Sequence, residues 1–498
     1  MLNAKGIAAG LAAVIALLAP QAAQAEWLRA ETRNFVVYSN GSEQNLREFA
    51  TSLERFDGLL RSRTGRPQAE GLRKLPVYLV GDAAELRTLR PGLREGVSGF
   101  YSATSQDIRA ALVRGENDNV LLHEYAHHFM FQNFPGGYPG WFTEGFAEFF
   151  MTATVDGRGR STFGYPRSGR MNTLRRESWI PMEQFLRARP LEFERREQRA
   201  AFYAQSWLLT HYLLSDRDRM QRLDGYLRDV QAGVDPVVAL NQHFQKTPQM
   251  LEREMRAYLN GRLTYAELNL PAAEVEMAVS RLPASADDLM LIGLDIQDGA
   301  PSSEGPRLLE QVRAAAARHP DDVLALTVLG RAEILWGDAN TGEAALQKVL
   351  AADPDNVEAL LLIARRRIAT ADTANDPAAR LAGYREARGL LSRAFQADDT
   401  DYRVLELLAS SRRISPDYPT ANDLETWRLA VAHAPQVLSL REQAADAMIR
   451  AGQTEEGMLL LLPIASDPHN SDRARRARER LDTLRAGATG ATTPVPAS

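Results

Sequence analysis

The sequence predicts an α+β domain in its first half joined to an all-α array of helical hairpins in its second, and three observations predict it. From Glu26 to about Gly115, short apolar runs bounded by turn residues, the mark of strands, mix with helical spacing. From Met182 onward the apolar residues recur at helical spacing instead. A segment that starts at His319 then returns 34 residues later, a period at which helical-hairpin repeats stack.

The first 25 residues have the three parts of a secretory signal. Lys5 is the positive start, Ile7 to Ala19 an apolar stretch too short to span a bilayer comfortably, and Ala23-Gln24-Ala25 a small-residue cleavage site. The expected mature chain begins at Glu26 and is exported, to the periplasm or beyond. No later segment approaches 18 uninterrupted apolar residues, so no transmembrane segment is expected in it. The chain has no cysteine, which excludes disulfides and thiolate metal sites; any metal must be held by histidine and carboxylate. A net charge of -5 and a pI near 6.0 exclude a nucleic-acid footprint. With 498 residues, 45% of them hydrophobic, the chain can fill two or three cores.

Phe35 to Tyr38, Val77 to Val80, Val97 to Tyr101 and Ile108 to Val113 read as strands. Between the first two, Leu46, Phe49, Ala50, Leu53, Phe56 and Leu60 recur at helical spacing behind a Ser42 cap. No further strand pattern follows Trp179-Ile180-Pro181. Helices are expected over Tyr203 to Leu214, Gln221 to Val230 and Met250 to Leu263. Pro271 and the sparse acidic stretch after it place a boundary between 270 and 290. The expected domains are therefore 26–270 and 285–485, after a signal at 1–25 and before a tail at 486–498 too poor in apolar residues to fold.

In the second half, His319-Pro320-Asp321-Asp322-Val323-Leu324-Ala325-Leu326 returns as Asp353-Pro354-Asp355-Asn356-Val357-Glu358-Ala359-Leu360. Looser boundaries at Asp399, Pro435 and Pro468 give steps of 45, 36 and 33 residues, so one unit carries an insertion, placed within Thr370 to Gly383. Leu329-Gly330 supplies a glycine where two helices of a hairpin must approach. This half resembles a tetratricopeptide-repeat superhelix, and the resemblance implies a surface for a protein partner. The arginines from Arg473 to Arg480 read as a solvated capping face.

The chemistry is concentrated in His123-Glu124-Tyr125-Ala126-His127. Four residues are just over one helical turn, so both histidines project from one face and can bind one ion. Glu124 lies about 100° round the helix, beside the open coordination position, where it can take a proton from water. His128 points away from His127 by the same angle and reads as a neighbour. After the turn Phe134-Pro135-Gly136-Gly137-Tyr138-Pro139-Gly140 comes Trp141-Phe142-Thr143-Glu144-Gly145-Phe146-Ala147-Glu148. Glu144 and Glu148 stand at i, i+4 in an apolar helix, and buried carboxylates need cationic partners.

H-E-x-x-H followed by W-F-T-E-G-F-A-E, with 16 residues between His127 and Glu144, resembles the gluzincin metallopeptidases, the thermolysin-like and aminopeptidase-like clan, and within it the bacterial peptidase-MA-like proteins. The resemblance covers residues 26–265 and is firmest from His123 to Phe150. It implies one zinc ion held by His123, His127 and Glu144, Glu124 as general base, and Glu148 orienting a ligand histidine. It also implies an oxyanion donor on a later helix within Tyr203-Ala204-Gln205-Ser206-Trp207-Leu208-Leu209-Thr210-His211-Tyr212. Tyr203 is the first choice and His211 the second, and an amphipathic packing helix is the plain alternative. No G-A-M-E-N-type strand precedes His123, so exopeptidase activity is not implied. The implied activity is hydrolysis of a protein or peptide substrate; the rival reading is a catalytically silent scaffold that assembles an envelope complex through its repeats.

Overall fold

A computed structural model of the chain describes residues 27–68, 71–115, 119–271, 274–467 and 471–490. The signal segment 1–25 and residues 491–498 of the tail lie outside them. In chain order the first half runs β1 (Leu28–Glu31), β2 (Phe35–Ser39), α1 (Glu43–Thr64), β3 (Leu75–Val80), α2 (Ala83–Leu89), β4 (Gly99–Ala103), β5 (Ile108–Val113), α3 (Asn119–Asn133) and α4 (Gly140–Phe150). It continues with β6 (Thr154–Val155), β7 (Arg160–Phe163), α5 (Ser168–Arg176), α6 (Met182–Arg187), α7 (Arg196–Leu214), α8 (Arg217–Gln231), α9 (Pro236–Phe244), α10 (Pro248–Leu259), β8 (Ala266–Asn269) and β9 (Ala278–Arg281). The second half is helical: α11 (Ser285–Asp298), α12 (Gly305–Ala316), α13 (Val323–Trp336), α14 (Ala339–Ala352), α15 (Val357–Thr373) and α16 (Pro377–Ala397). It ends with α17 (Tyr402–Ser411), α18 (Ala421–His433), α19 (Leu438–Arg450), α20 (Thr454–Ala465) and α21 (Ser471–Gly490).

Among the described residues the main sheet has the order β4-β5-β3-β2-β1-β9, with β2, β3 and β5 parallel and the other pairings antiparallel. Both faces of its centre are covered, which is why its strands read as nearly continuous apolar runs. Leu75, Val77 and Leu79 of β3 face a core shared with Leu46, Leu53 and Phe56 of α1 and Phe129 of α3. The alternate residues Tyr78 and Val80 face a second core with Leu86 and Leu89 of α2. Helix α1 starts where the sequence places it, with the Ser42 hydroxyl accepting from the Asn45 N–H. A second sheet, β6-β7-β8, meets α1 through β6.

The helical half is a row of antiparallel pairs: α13 with α14, α15 with α16, α17 with α18, α19 with α20. The boundaries at Pro320, Pro354, Asp399 and Pro435 fall in the turns ahead of α13, α15, α17 and α19, and the one at Pro468 lies outside the described residues. The insertion lengthens helices rather than adding a loop: α15 has 17 residues and α16 has 21, against 14 each in α13 and α14. Gly330 acts as expected, since a Cβ there would meet Leu346 at 2.6 Å and the Gly342 carbonyl at 3.1 Å.

The expected division at 270–290 is corrected. Strand β9 falls inside that interval and pairs with β1 from Leu28↔Arg281 to Glu31↔Ala278, closing one edge of the main sheet. Helix α11 packs Ala286, Met290 and Leu294 into the core behind β3, while its Leu289 and Ile296 join Leu308 and Val312 of α12. Tyr402 of α17, Trp427 of α18 and Leu440 of α19 belong to the same continuous core as Tyr125 and Phe129 of α3. Polar contacts seal the junction: the Tyr402 hydroxyl donates to the Thr104 carbonyl at 2.7 Å, and Arg73 pairs with Asp107 at 3.1 Å and Asp401 at 3.4 Å. The missed strands are short and mostly exposed, and their pairing runs through main-chain groups that leave no side-chain pattern.

Candidate metal centre

Helix α3 is fixed from behind. Tyr125 donates to Asp57 of α1 at 2.7 Å, and Asp57 accepts from Arg61 Nε at 2.6 Å. Phe35 and Phe56 pack against the Tyr125 ring. These contacts turn His123 and His127 toward α4, which is buried along its whole length. The short Pro/Gly turn before Gly140 folds α4 back along α3 and sets Glu144 opposite the two imidazoles.

His123 Nε2 and His127 Nε2 lie 3.1 Å apart, and Glu144 Oε2 is 3.4 Å from the first and 3.5 Å from the second. Tetrahedral zinc with bonds of about 2.0–2.1 Å requires ligand atoms about 3.3 Å from one another. The donor set and its spacing therefore fit a single zinc ion with one position left over. Among the described residues this is the group of three His, Asp or Glu side chains whose ligand atoms converge within 4.8 Å. The His123 side chain is 12% exposed while those of His127 and Glu144 are 4% and 0% exposed, so the centre opens on the His123 side. Burial opposes a charge on His123, but the hydrogen bond and field of Glu144, with Glu148 and Glu124 beyond it, carry its pKa up to about 9.

Glu124 is partly exposed, and its charge reaches both His123 and Tyr203. Glu148 Oε1 is 3.8 Å from His123 Nδ1, too far for a hydrogen bond. Its closer partner is one that sequence reasoning missed: Arg170 of α5 donates to both Glu148 oxygens, at 2.8 and 2.5 Å. Arg170 also lies over the Tyr203 ring, 5.2 Å from its centroid. No local motif marks this arginine, because only the packing of α5 on α7 brings it in.

Tyr203 faces the cluster from α7. Burial, then the fields of Glu144 and Glu148, raise its pKa far above that of a free phenol, so it stays a neutral O–H donor. His211, the second choice, is elsewhere. Its Nδ1 is 2.8 Å from the Tyr258 hydroxyl and its Nε2 2.7 Å from the Thr264 carbonyl, which leaves neither nitrogen for a substrate. Two turns of helix separate it from Tyr203. His128 is a neighbour as expected; its Nδ1 is 2.9 Å from the Tyr101 hydroxyl, and burial pushes its pKa down to about 3.

Gly145 sets the distance between the ligand helix α4 and the Tyr203 helix α7. A Cβ there would collide with the Thr210 hydroxyl and stand 2.5 Å from the Ser206 carbonyl, a backbone atom that cannot step aside. Gly145→Ala is thus expected to destabilise the fold by about 1–3 kcal/mol despite the better helix propensity of alanine. A thermal melt of Gly145→Ala against the wild type checks this.

The class that fold and site define is an α+β protein with a buried His-His-Glu cluster, enclosed by an array of helical hairpins. Within it, residues 119–231 match the family model described as "Protein of unknown function (DUF1570)", a span that runs from α3 to the end of α8 and holds every residue of the cluster. No curated protein matches the chain. Among solved structures, a thermophilic TPR protein from Thermus thermophilus is 16% identical at a TM-score of 0.33, covering 40% of this chain and 98% of that one. MamA from residue 41 to the end, from Desulfovibrio magneticus RS-1, is 16% identical at a TM-score of 0.27, covering 41% and 98%.

Proposed function

We propose that this chain is a zinc-dependent peptidase of the gluzincin type, exported from the cytoplasm, whose hairpin array recruits a protein substrate or partner. The observation that carries the reading is the mutual spacing of His123 Nε2, His127 Nε2 and Glu144 Oε2 at 3.1–3.5 Å beside the Glu124 carboxylate. His123, His127 and Glu144 would hold the ion. Zinc in such a set supplies Lewis acidity, polarising water and carbonyl oxygen at neutral pH. Glu124 then acts on protons: it accepts one from the attacking water and returns it to the leaving amine. The Tyr203 hydroxyl donates to the oxyanion that forms as the carbonyl is attacked. Arg170 holds Glu148 and the Tyr203 ring in place, so the donor is ordered before substrate arrives. A purely structural metal site has no use for a carboxylate in the position of Glu124, which favours a peptidase over a silent scaffold.

The test is metal content by elemental analysis together with hydrolysis of a mixed peptide library. One zinc per chain is expected, with stoichiometric binding lost in His123→Ala and in Glu144→Ala. Wild-type metal occupancy in both variants, or a metal-loaded protein that cleaves nothing in the library, would sink the reading. Tyr203→Phe is expected to keep zinc and thermal stability and to lower kcat on the order of 10²-fold. A change in the melt with kcat intact would make Tyr203 a packing residue.

A further inference from the structure

The arginine-rich last helix does not turn all of its cations to solvent. Arg478, Leu481 and Arg485 of α21 share one face, at i, i+3 and i+7, and Leu481 packs with Leu461 and Ile464 of α20. This face lines a cavity of about 240 Å³ against the first half, where it meets the α3–α4 turn at residues 137–140 and the α8–α9 turn at residues 233–236. Arg187 and Arg189 enter the same cavity from the end of α6. Arg485 lies close against the α8–α9 turn, since a Cβ on Gly233 would stand 3.0 Å from its Nη2.

Four guanidinium groups thus line one concavity, and Asp235 is the one carboxylate among its described lining residues. Asp235 is taken twice over by Arg187, whose Nε and Nη2 donate to its two oxygens at 2.6 and 3.0 Å. Arg189 donates to the Ala465 carbonyl, its buried Nε meets no acceptor, and Glu192 reaches it only from the rim, at 3.6 Å. Arg485 pairs with Asp482 at 3.8 Å, an acid whose side chain is 78% exposed. Burial lowers the pKa of Arg478 against the weaker fields of Asp482 and Glu479, and no hydrogen bond supports its charge. Pairs with solvent-exposed acids are weak and screened by salt, so they leave the positive potential of the cavity largely in place.

We infer that this cavity binds a phosphate group, as the free ion or as a monoester, with Arg189, Arg478 and Arg485 donating to its oxygens. Guanidinium forks from two sides of one small space suit a tetrahedral dianion with three or more acceptor oxygens better than a carboxylate with two. The volume is below the roughly 300–1,000 Å³ of ordinary small-molecule sites, room for a phosphate with a short stem. Bound there, the group ties α21 to the turn that joins the two ligand helices, α3 and α4. The cavity shares no residue with the His-His-Glu cluster, so it stands or falls independently of the peptidase reading.

Calorimetric titration of the full chain tests it, with metal first removed by ortho-phenanthroline, an uncharged chelator, so that phosphate has no ion to bind. The probes are inorganic phosphate, glycerol phosphate and acetate. One phosphate is expected to bind per chain, and acetate about tenfold more weakly or worse. Arg478→Met should lose phosphate affinity by about tenfold with an unchanged melt, and Arg485→Met takes its place if that variant fails to fold. Arg476→Met removes the same charge from an exposed position of α21 outside the cavity and should keep the affinity. Glycerol phosphate binding as tightly as inorganic phosphate assigns a monoester and weaker binding the free ion; both support the site. Absence of phosphate binding, acetate binding as tightly, or an equal loss in Arg476→Met overturns the proposal.

Discussion

Glu124→Gln is expected to retain one zinc per chain and the wild-type melting temperature while losing peptide hydrolysis by about 10²–10⁴-fold, the usual contribution of a positioned general base. The variant keeps the shape of the side chain and removes only its ability to accept a proton. Because Glu124 is not part of the convergent cluster of His123, His127 and Glu144, metal occupancy should not fall. Elemental analysis and turnover on one cleavable peptide, measured on the same preparation, separate the two effects. Undiminished turnover in Glu124→Gln would remove the proposed chemistry; loss of metal with activity would make Glu124 a ligand.

A fragment of residues 26–275 is expected to be insoluble or molten when expressed alone. Its sequence contains every proposed catalytic residue, yet it lacks β9, which pairs along β1, and α11, which covers the second face of the sheet. It also exposes the side of α3 that Tyr402, Trp427 and Leu440 bury. Folding stabilities of about 5–15 kcal/mol cannot survive removal of so many large apolar contacts. Circular dichroism in the near and far ultraviolet, with the separately expressed residues 276–485 added back, checks this. A soluble fragment with a sharp melt would show the first half to be autonomous. Arg73 marks the same dependence, since it pairs across the junction with Asp401.

The His123–His127 pair and the Glu144–Glu148 pair were each legible because helices convert spacing into direction: residues four apart share a face whatever surrounds them. For the same reason Ser42 announced α1, and the repeated His319 and Asp353 segments announced the hairpins. Tyr203 was legible only through resemblance, as the first choice with His211 second in the same stretch; the fold ties both His211 nitrogens to Tyr258 and Thr264. Arg170 carried no signal at all.

By itself, the chain's order of residues determined which side chains can cooperate within one helix or one turn: two histidines, a neighbouring base, a pair of glutamates, a 34-residue period. Tertiary structure alone decided which helices meet. It put Glu144 against the imidazoles, Arg170 across Glu148 and Tyr203, β9 on the sheet rather than in a linker, and α11 against the sheet as well as the hairpins. The physical reason is that local spacing acts through backbone geometry shared by all helices. Contacts between distant elements are set by packing and main-chain pairing, whose energies are spread over many residues and leave no pattern in any short stretch.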